Sequence, residues 1–153
     1  MPDCFISYSS TDQEFAKSVY SELEKHTITA FMASVSLQPG QDWSKEIMEN
    51  LRNSKWVILL ASRAACSSEF VNQEIGATLH NAKNLIPIVW DMAPSELPGW
   101  ANGVQAIDMS GKQTVGELQR EIASIAQRIK QDKSQGLLII GVVFLALFVL
   151  SRE

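Results

Sequence analysis

Short apolar runs alternate with amphipathic stretches along most of this chain. Residues 4–8 have strand composition. Phe15, Val19 and Leu23 then recur four residues apart, the buried stripe of a helix, with Thr11 and Glu14 as a candidate capping box at its start. Residues 28–32 read as a second strand, and residues 34–42 as a loop turning at Pro39-Gly40. Asp42 is placed to cap a helix over residues 43–53, whose stripe is Trp43, Ile47 and Leu51 with Met48 beside it. Residues 56–60 are continuously apolar, as in a strand buried on both faces. A helix over residues 69–81 follows, with Ser67 as its starting cap. Residues 85–90 form a fourth strand, and Pro87 within it implies an edge or near-edge position. Residues 91–102 are irregular, and residues 104–107 read as a short fifth strand. From Thr114 a long helix carries Val115, Leu118, Ile122, Ile125 and Ile129 on its apolar face. Strands alternating with helices at this spacing predict βαβ units, a parallel sheet and helices on both of its faces.

Charge divides the chain in two. Residues 1–127 hold 9 Lys+Arg against 15 Asp+Glu, a net of −6; residues 128–153 hold 4 against 2, a net of +2, which together give −4. The acidic body offers no electrostatic case for nucleic acid. Cys4 and Cys66 make no disulfide framework, and Cys4, in an apolar run, reads as a small core residue. His26 and His80 are isolated, so no metal site is expected. The N-terminus shows no secretory signal pattern, which implies a cytosolic domain with reduced thiols.

Glu74 is the residue of greatest chemical interest. It falls in the first turns of the helix after the third strand, and ligands of open α/β sheets bind beyond the carboxyl ends of the strands. Phe70 stands one turn before it. A solvated helix glutamate is the alternative reading. The chain has no Gly-x-Gly-x-x-Gly turn, no Walker loop and no Gly-x-Ser-x-Gly elbow.

Several segments, in this order and spacing, resemble Toll/interleukin-1 receptor (TIR) domains. Asp3-Cys4-Phe5-Ile6-Ser7-Tyr8-Ser9 is similar to their first box. Leu37-Gln38-Pro39-Gly40-Gln41-Asp42-Trp43 resembles their BB loop and the helix after it. Residues 54–62 resemble their third strand, and residues 84–89 their fourth-strand box. Phe70-Val71-x-x-Glu74-Ile75 resembles the helix bearing the essential glutamate of TIR domains that cleave NAD. The resemblance covers roughly residues 2–130. It implies a flavodoxin-like fold, a five-stranded parallel sheet in the order 2-1-3-4-5 with helices on both faces.

The resemblance also implies one of two functions. One is an NAD+ glycohydrolase or cyclase of bacterial antiphage immunity, active on self-assembly, with NAD+ as substrate and no cofactor. The other is a non-catalytic scaffold acting through TIR–TIR contacts. In the enzyme reading Glu74 is catalytic. A single carboxylate is sufficient because nicotinamide leaves as a neutral molecule and needs no general acid, unlike an ordinary glycosidic oxygen. Tyr8, Ser9, Trp43 and Phe70 are the substrate-binding candidates. Each has a structural alternative: Tyr8 as a packed strand end, Trp43 as a helix anchor, Phe70 as a core residue. Leu37, Gln38, Pro39 and Gly40 are the BB-loop candidates for assembly. Family enzymes often carry Arg where Ser9 and Ser10 stand and Asp where Ala33 stands.

Residues 134–151 are eighteen uncharged positions between Lys133 and Arg152. As a helix they would span ~27 Å, close to the ~30 Å hydrocarbon core. The expected organisation is therefore a TIR domain over residues 1–133 and a membrane anchor over residues 134–151. Arg128, Lys130 and Lys133 precede the apolar run and Arg152 follows it, which predicts a single-pass protein with its TIR domain in the cytoplasm. A buried or oligomerising helix is the alternative.

Overall fold

The structure, a computed structural model, describes every residue except Gln38, 79–82, 112–113 and 151–153. For Val35, Glu74, Thr78 and residues 137–150 the description is of the backbone alone. Five parallel strands form one sheet: β1 (Cys4–Ser7), β2 (Ala30–Phe31), β3 (Trp56–Leu60), β4 (Asn84–Val89) and β5 (Ile107–Asp108), in the order β2-β1-β3-β4-β5. The helices are α1 (Gln13–Lys25), α2 (Ala33–Ser36), α3 (Trp43–Asn53), α4 (Arg63–Cys66), α5 (Gly76–Thr78) and α6 (Val115–Leu150). The expected sheet and strand order are observed.

Alternation along the central strands sorts their side chains into two cores. Cys4, Ile6, Trp56, Ile58, Leu60, Ile86 and Ile88 pack against α1 and α6. Phe5, Val57, Leu59, Leu85 and Val89 face Leu51 of α3 and Val71 and Ile75 before α5. Phe5 and Phe31 are register partners and stack with ring centroids 5.4 Å apart. Burial pushes the Cys4 thiol up to about 12, so it remains a neutral core group.

Several local expectations need correction. Strand β2 covers two residues, and the loop after it begins with the short helix α2. Thr11 makes no capping box: Ser10–Asp12 is a 3₁₀ turn, and α1 has no side-chain cap. Ser67 closes α4 by donating to the Arg63 carbonyl at 2.8 Å; Ser68 instead caps the next segment, accepting from Val71 N–H at 3.4 Å. The fifth strand lies at Ile107–Asp108, later than residues 104–107. Pro87 is next to the edge. Strand β5 pairs with β4 only from Ile88 onward, so the N–H that proline lacks has no strand opposite it. Val115, assigned to the apolar face of α6, is exposed.

Helix α6 runs unbroken past Lys133, so no break marks the expected boundary at residue 134. Its buried stripe is Leu118, Ile122, Ile125, Ala126 and Ile129. Polar contacts then fasten it to the amino edge of the sheet. Lys133 pairs with Asp3 Oδ1 at 2.9 Å, and Asp3 Oδ2 accepts from the backbone N–H and hydroxyl of Thr29, each at 2.9 Å. Asp132 Oδ2 accepts from Lys55 at 2.8 Å and from the Trp56 indole at 3.2 Å, and Arg128 lies 5.5 Å over the Trp56 ring. Among the described residues no helix is long and apolar enough to cross a membrane. The side chains of residues 137–150, which carry the anchor expectation, lie outside that description.

This collar makes acid stability testable. Burial alone would raise the Asp3 carboxyl, but Lys133 and Thr29 outweigh it and hold it below the ordinary carboxylate value; Lys55 and then Trp56 do the same for Asp132. A depressed folded pKa stabilises fully above the unfolded value and is lost as pH falls through the folded one. As pH falls from about 5 through the ordinary aspartate value of about 3.9 and below, the melting temperature is therefore expected to fall more steeply than that of the Asp3→Asn/Asp132→Asn double variant. Parallel melting curves for the two proteins would remove the collar from acid stability.

Candidate functional site

The carboxyl edge of the sheet holds a cavity of about 340 Å³ on the α3 face. Its position follows from the parallel topology, which gathers the loops after each strand at one edge. Ser7, Tyr8 and Ser10 enter it from the end of β1, Ala33 and Ser34 from α2, and Trp43 from α3. Phe70 closes it from the segment leading to α5.

Two of these walls are large apolar side chains left open to solvent. Trp43 is 59% exposed and Phe70 37% exposed. Burial would have hidden either one had it served only as core, so the anchoring alternative fails for Trp43. The predicted α3 stripe is buried only at Leu51 and begins with an aromatic at the cavity rim. Asp42 caps α3 as expected, accepting from Lys45 N–H at 3.2 Å, and so fixes where Trp43 leaves the helix. Tyr8 lines the cavity and also ties β1 to α2: its hydroxyl accepts from Ser34 N–H at 3.0 Å.

The other candidates divide. The Ser9 hydroxyl pairs with Thr11 at 3.1 Å, and the neighbouring Ser10 lines the cavity in its place. Pro39-Gly40 forms the expected turn, with Gly40 at φ +88°, a conformation glycine adopts freely. Leu37, Pro39 and Gly40 do not line this cavity, and Gln38 lies outside the described residues. Glu74 sits in a π-helical turn, Val71–Ile75, where a regular helix was expected. Such turns are rare and recur at functional sites because they shift the helical register. The Glu74 side chain lies outside the description.

The packing behind that turn was not anticipated. Asn72 donates to the carbonyls of Cys66 at 2.8 Å and Ser68 at 3.0 Å, and accepts from the Trp100 indole at 3.0 Å. The Trp100 ring lies against Gly76, where a Cβ would stand 3.3 Å away. Trp100 lies in the region read as irregular, and only its pairing with a distant glycine would have marked it. No charged residue lines the cavity among those described. No group of three His, Cys, Asp or Glu is placed to hold a metal ion among the described residues.

The TIR-domain family profile matches residues 4–130. The chain belongs to the TIR-domain family. This TIR domain is 26% identical over 97 residues to a probable 2′ cyclic ADP-D-ribose synthase of Brachypodium distachyon, covering 62% of this chain and 43% of the relative. The chain thus spans less than half the length of that relative. Its fold is similar to the TIR domain of a Toll-related receptor of Hydra magnipapillata, with TM-score 0.67 and 21% identity over 83% of this chain and 99% of the other. It is also similar to a chain of the RPS4–RRS1 TIR-domain heterodimer, with TM-score 0.57 and 10% identity over 82% and 96%.

Trp100→Phe keeps a ring against Gly76 but removes the hydrogen bond to Asn72. The expected cost is about 1 kcal/mol, read in a denaturant midpoint. Faster amide exchange across Val71–Ile75 should accompany it; unchanged exchange there would deny Trp100 its hold on the π turn.

Proposed function

We propose that this TIR domain cleaves NAD+ at the nicotinamide–ribose bond, with Glu74 as the catalytic carboxylate. The observation that carries this reading is the convergence of exposed Trp43 and Phe70 with Tyr8 and Ser10 on one cavity, whose Phe70 wall leads directly into the turn bearing Glu74. Aromatic faces suit the flat nicotinamide ring and its positive charge. The relative named as a cyclic ADP-ribose synthase supports chemistry of this class.

In this mechanism the bond between the ribose anomeric carbon and the pyridinium nitrogen breaks, and its electron pair neutralises the departing nicotinamide. Positive charge develops on the ribose. The Glu74 carboxylate stabilises that charge, directly or by strengthening its hydrogen bonds to the ribose hydroxyls. Water then adds and loses a proton to give ADP-ribose. Capture by a nucleophilic atom of the same molecule gives a cyclic ADP-ribose.

At about 340 Å³ the cavity is at the small end of ligand pockets. Its described lining residues offer the pyrophosphate no cation, and Ser9, Ser10 and Ala33 stand at positions where family enzymes often carry Arg and Asp. We infer that a neighbouring copy completes the site through its BB loop, Leu37 to Gly40. The RPS4–RRS1 TIR-domain heterodimer supports pairing between TIR domains in general. Residues 134–151 would anchor the protein in a membrane, with the TIR domain in the cytoplasm, and raise the local concentration of copies. An antiphage role follows from the family resemblance alone. The lack of charge among the described lining residues favours one second reading, a TIR scaffold that binds no dinucleotide.

Wild-type protein clustered on vesicles and incubated with NAD+ is expected to release nicotinamide, measured by chromatography. Glu74→Ala should lower the rate about 10²–10³-fold. Equal release from both proteins would take Glu74 out of the mechanism, and release from neither would leave the scaffold. Turnover per molecule is further expected to rise at least about tenfold with surface density. A density-independent rate would mean that one copy makes the whole site.

A further inference from the structure

A second cavity, of about 360 Å³, opens between the starts of α1 and α6, on the opposite face of the sheet from the first. Phe15 and Trp90 form an aromatic wall, their ring centroids 4.7 Å apart and their planes tilted by 55°. Met109 and Leu118, both buried, add apolar surface. Asp12 is the one charged residue among the described residues that line it.

The hydroxyls around this cavity already have partners. Ser18 donates to the Glu14 carbonyl at 3.1 Å, Thr114 to Glu117 at 3.1 Å, and Thr11 pairs with Ser9 at 3.1 Å. Asp12 is held differently. The hydroxyl of Ser62, which is 1% exposed, donates to Asp12 Oδ2 and accepts from Ala65 N–H at 3.1 Å. One oxygen of a positioned carboxylate is thereby engaged, and the other can receive a donor.

We propose that this cavity is a second ligand site, for a planar aromatic molecule that carries a cationic or N–H donor group. The rings of Phe15 and Trp90 would take the flat apolar body and attract a positive charge. Asp12 would accept a charge-assisted hydrogen bond. Among the described residues the lining carries one negative charge and no positive one, which favours a cationic ligand over a phosphate-bearing one. The 3₁₀ turn Ser10–Asp12 is a wall of both cavities: Ser10 lines the first, Thr11 and Asp12 the second. A ligand drawing on Asp12 therefore shifts the turn that bears Ser10, and the first cavity registers the occupancy of the second.

Benzamidine, a planar aromatic cation, and benzoate, an anion of similar shape, are titrated into isotope-labelled full chain in detergent micelles. The reporters are the Trp90 indole N–H and the backbone amides of Ser10 and Thr11. Benzamidine is expected to shift the Trp90 signal saturably, with an affinity at least about tenfold above that of benzoate. Asp12→Asn keeps an oxygen for Ser62 and should bring the two affinities within about twofold. A persisting preference in that variant, or equal binding in the wild type, would overturn the assignment. Trp90→Leu removes the aromatic wall independently and should abolish the saturable shifts of Ser10 and Thr11; their survival would likewise overturn it. A Ser10 amide unmoved at benzamidine saturation would break the link between the cavities. None of these readouts depends on NAD+ cleavage.

Discussion

Everything in this molecule depends on a sheet that must be covered on both faces. The side chains of β1 and β3 are buried on either side, and β4 is exposed only in part at Asn84. An apolar strand paired on both edges has no face to give to water, so each crossover must lay a helix on one side or the other. Parallel pairing fixes where the connections gather. The turns that follow the strands all emerge at the carboxyl edge, and the two cavities lie there on opposite faces. The cavities are thus the unfilled corners of a fold whose middle is full.

Much of this frame is legible in the sequence because it is written in periodicities. The runs at 4–8 and 56–60 and the stripe Phe15, Val19, Leu23 report burial directly, and Asp42 marks its helix start by capping chemistry. The cavity lined by Tyr8, Trp43 and Phe70 was partly legible too, since family resemblance brings those residues together. What escaped is decided by tertiary partners. The π turn at Val71–Ile75 contains Asn72, which bridges Cys66, Ser68 and Trp100, and Trp100 is distant in sequence. Ser62, Asp12 and the helix α4 escaped for the same reason: a serine after an apolar strand reads as a loop residue until its carboxylate partner is in view. Trp43 shows the limit of a stripe, because the first turn of α3 extends beyond the core that Leu51 fills.

The two cavities are chemically unlike despite a shared wall. Among the described residues the first is lined without charge and walled by exposed aromatics. The second holds one fixed carboxylate beside an aromatic pair. Ser10 and Asp12 stand two residues apart in one tight turn, which makes independent motion of the two walls difficult. A short 3₁₀ segment, with its poorer hydrogen-bond geometry, is a softer element than the strand it follows.

The collar of Asp3, Lys55, Trp56, Asp132 and Lys133 gives the domain a polarity. It fastens α6 at the amino edge, so the helix departs from the pole opposite the cavities. Were copies to enter one plane by their α6 ends, all from the same side, they would present their cavities in the same direction. Their symmetry axes can then run only perpendicular to that plane. A dyad lying in the plane, which would turn one copy upside down, is forbidden. Such copies could join side by side into rings or rows but not face to face, and the loops at the carboxyl edge would then meet neighbours only laterally.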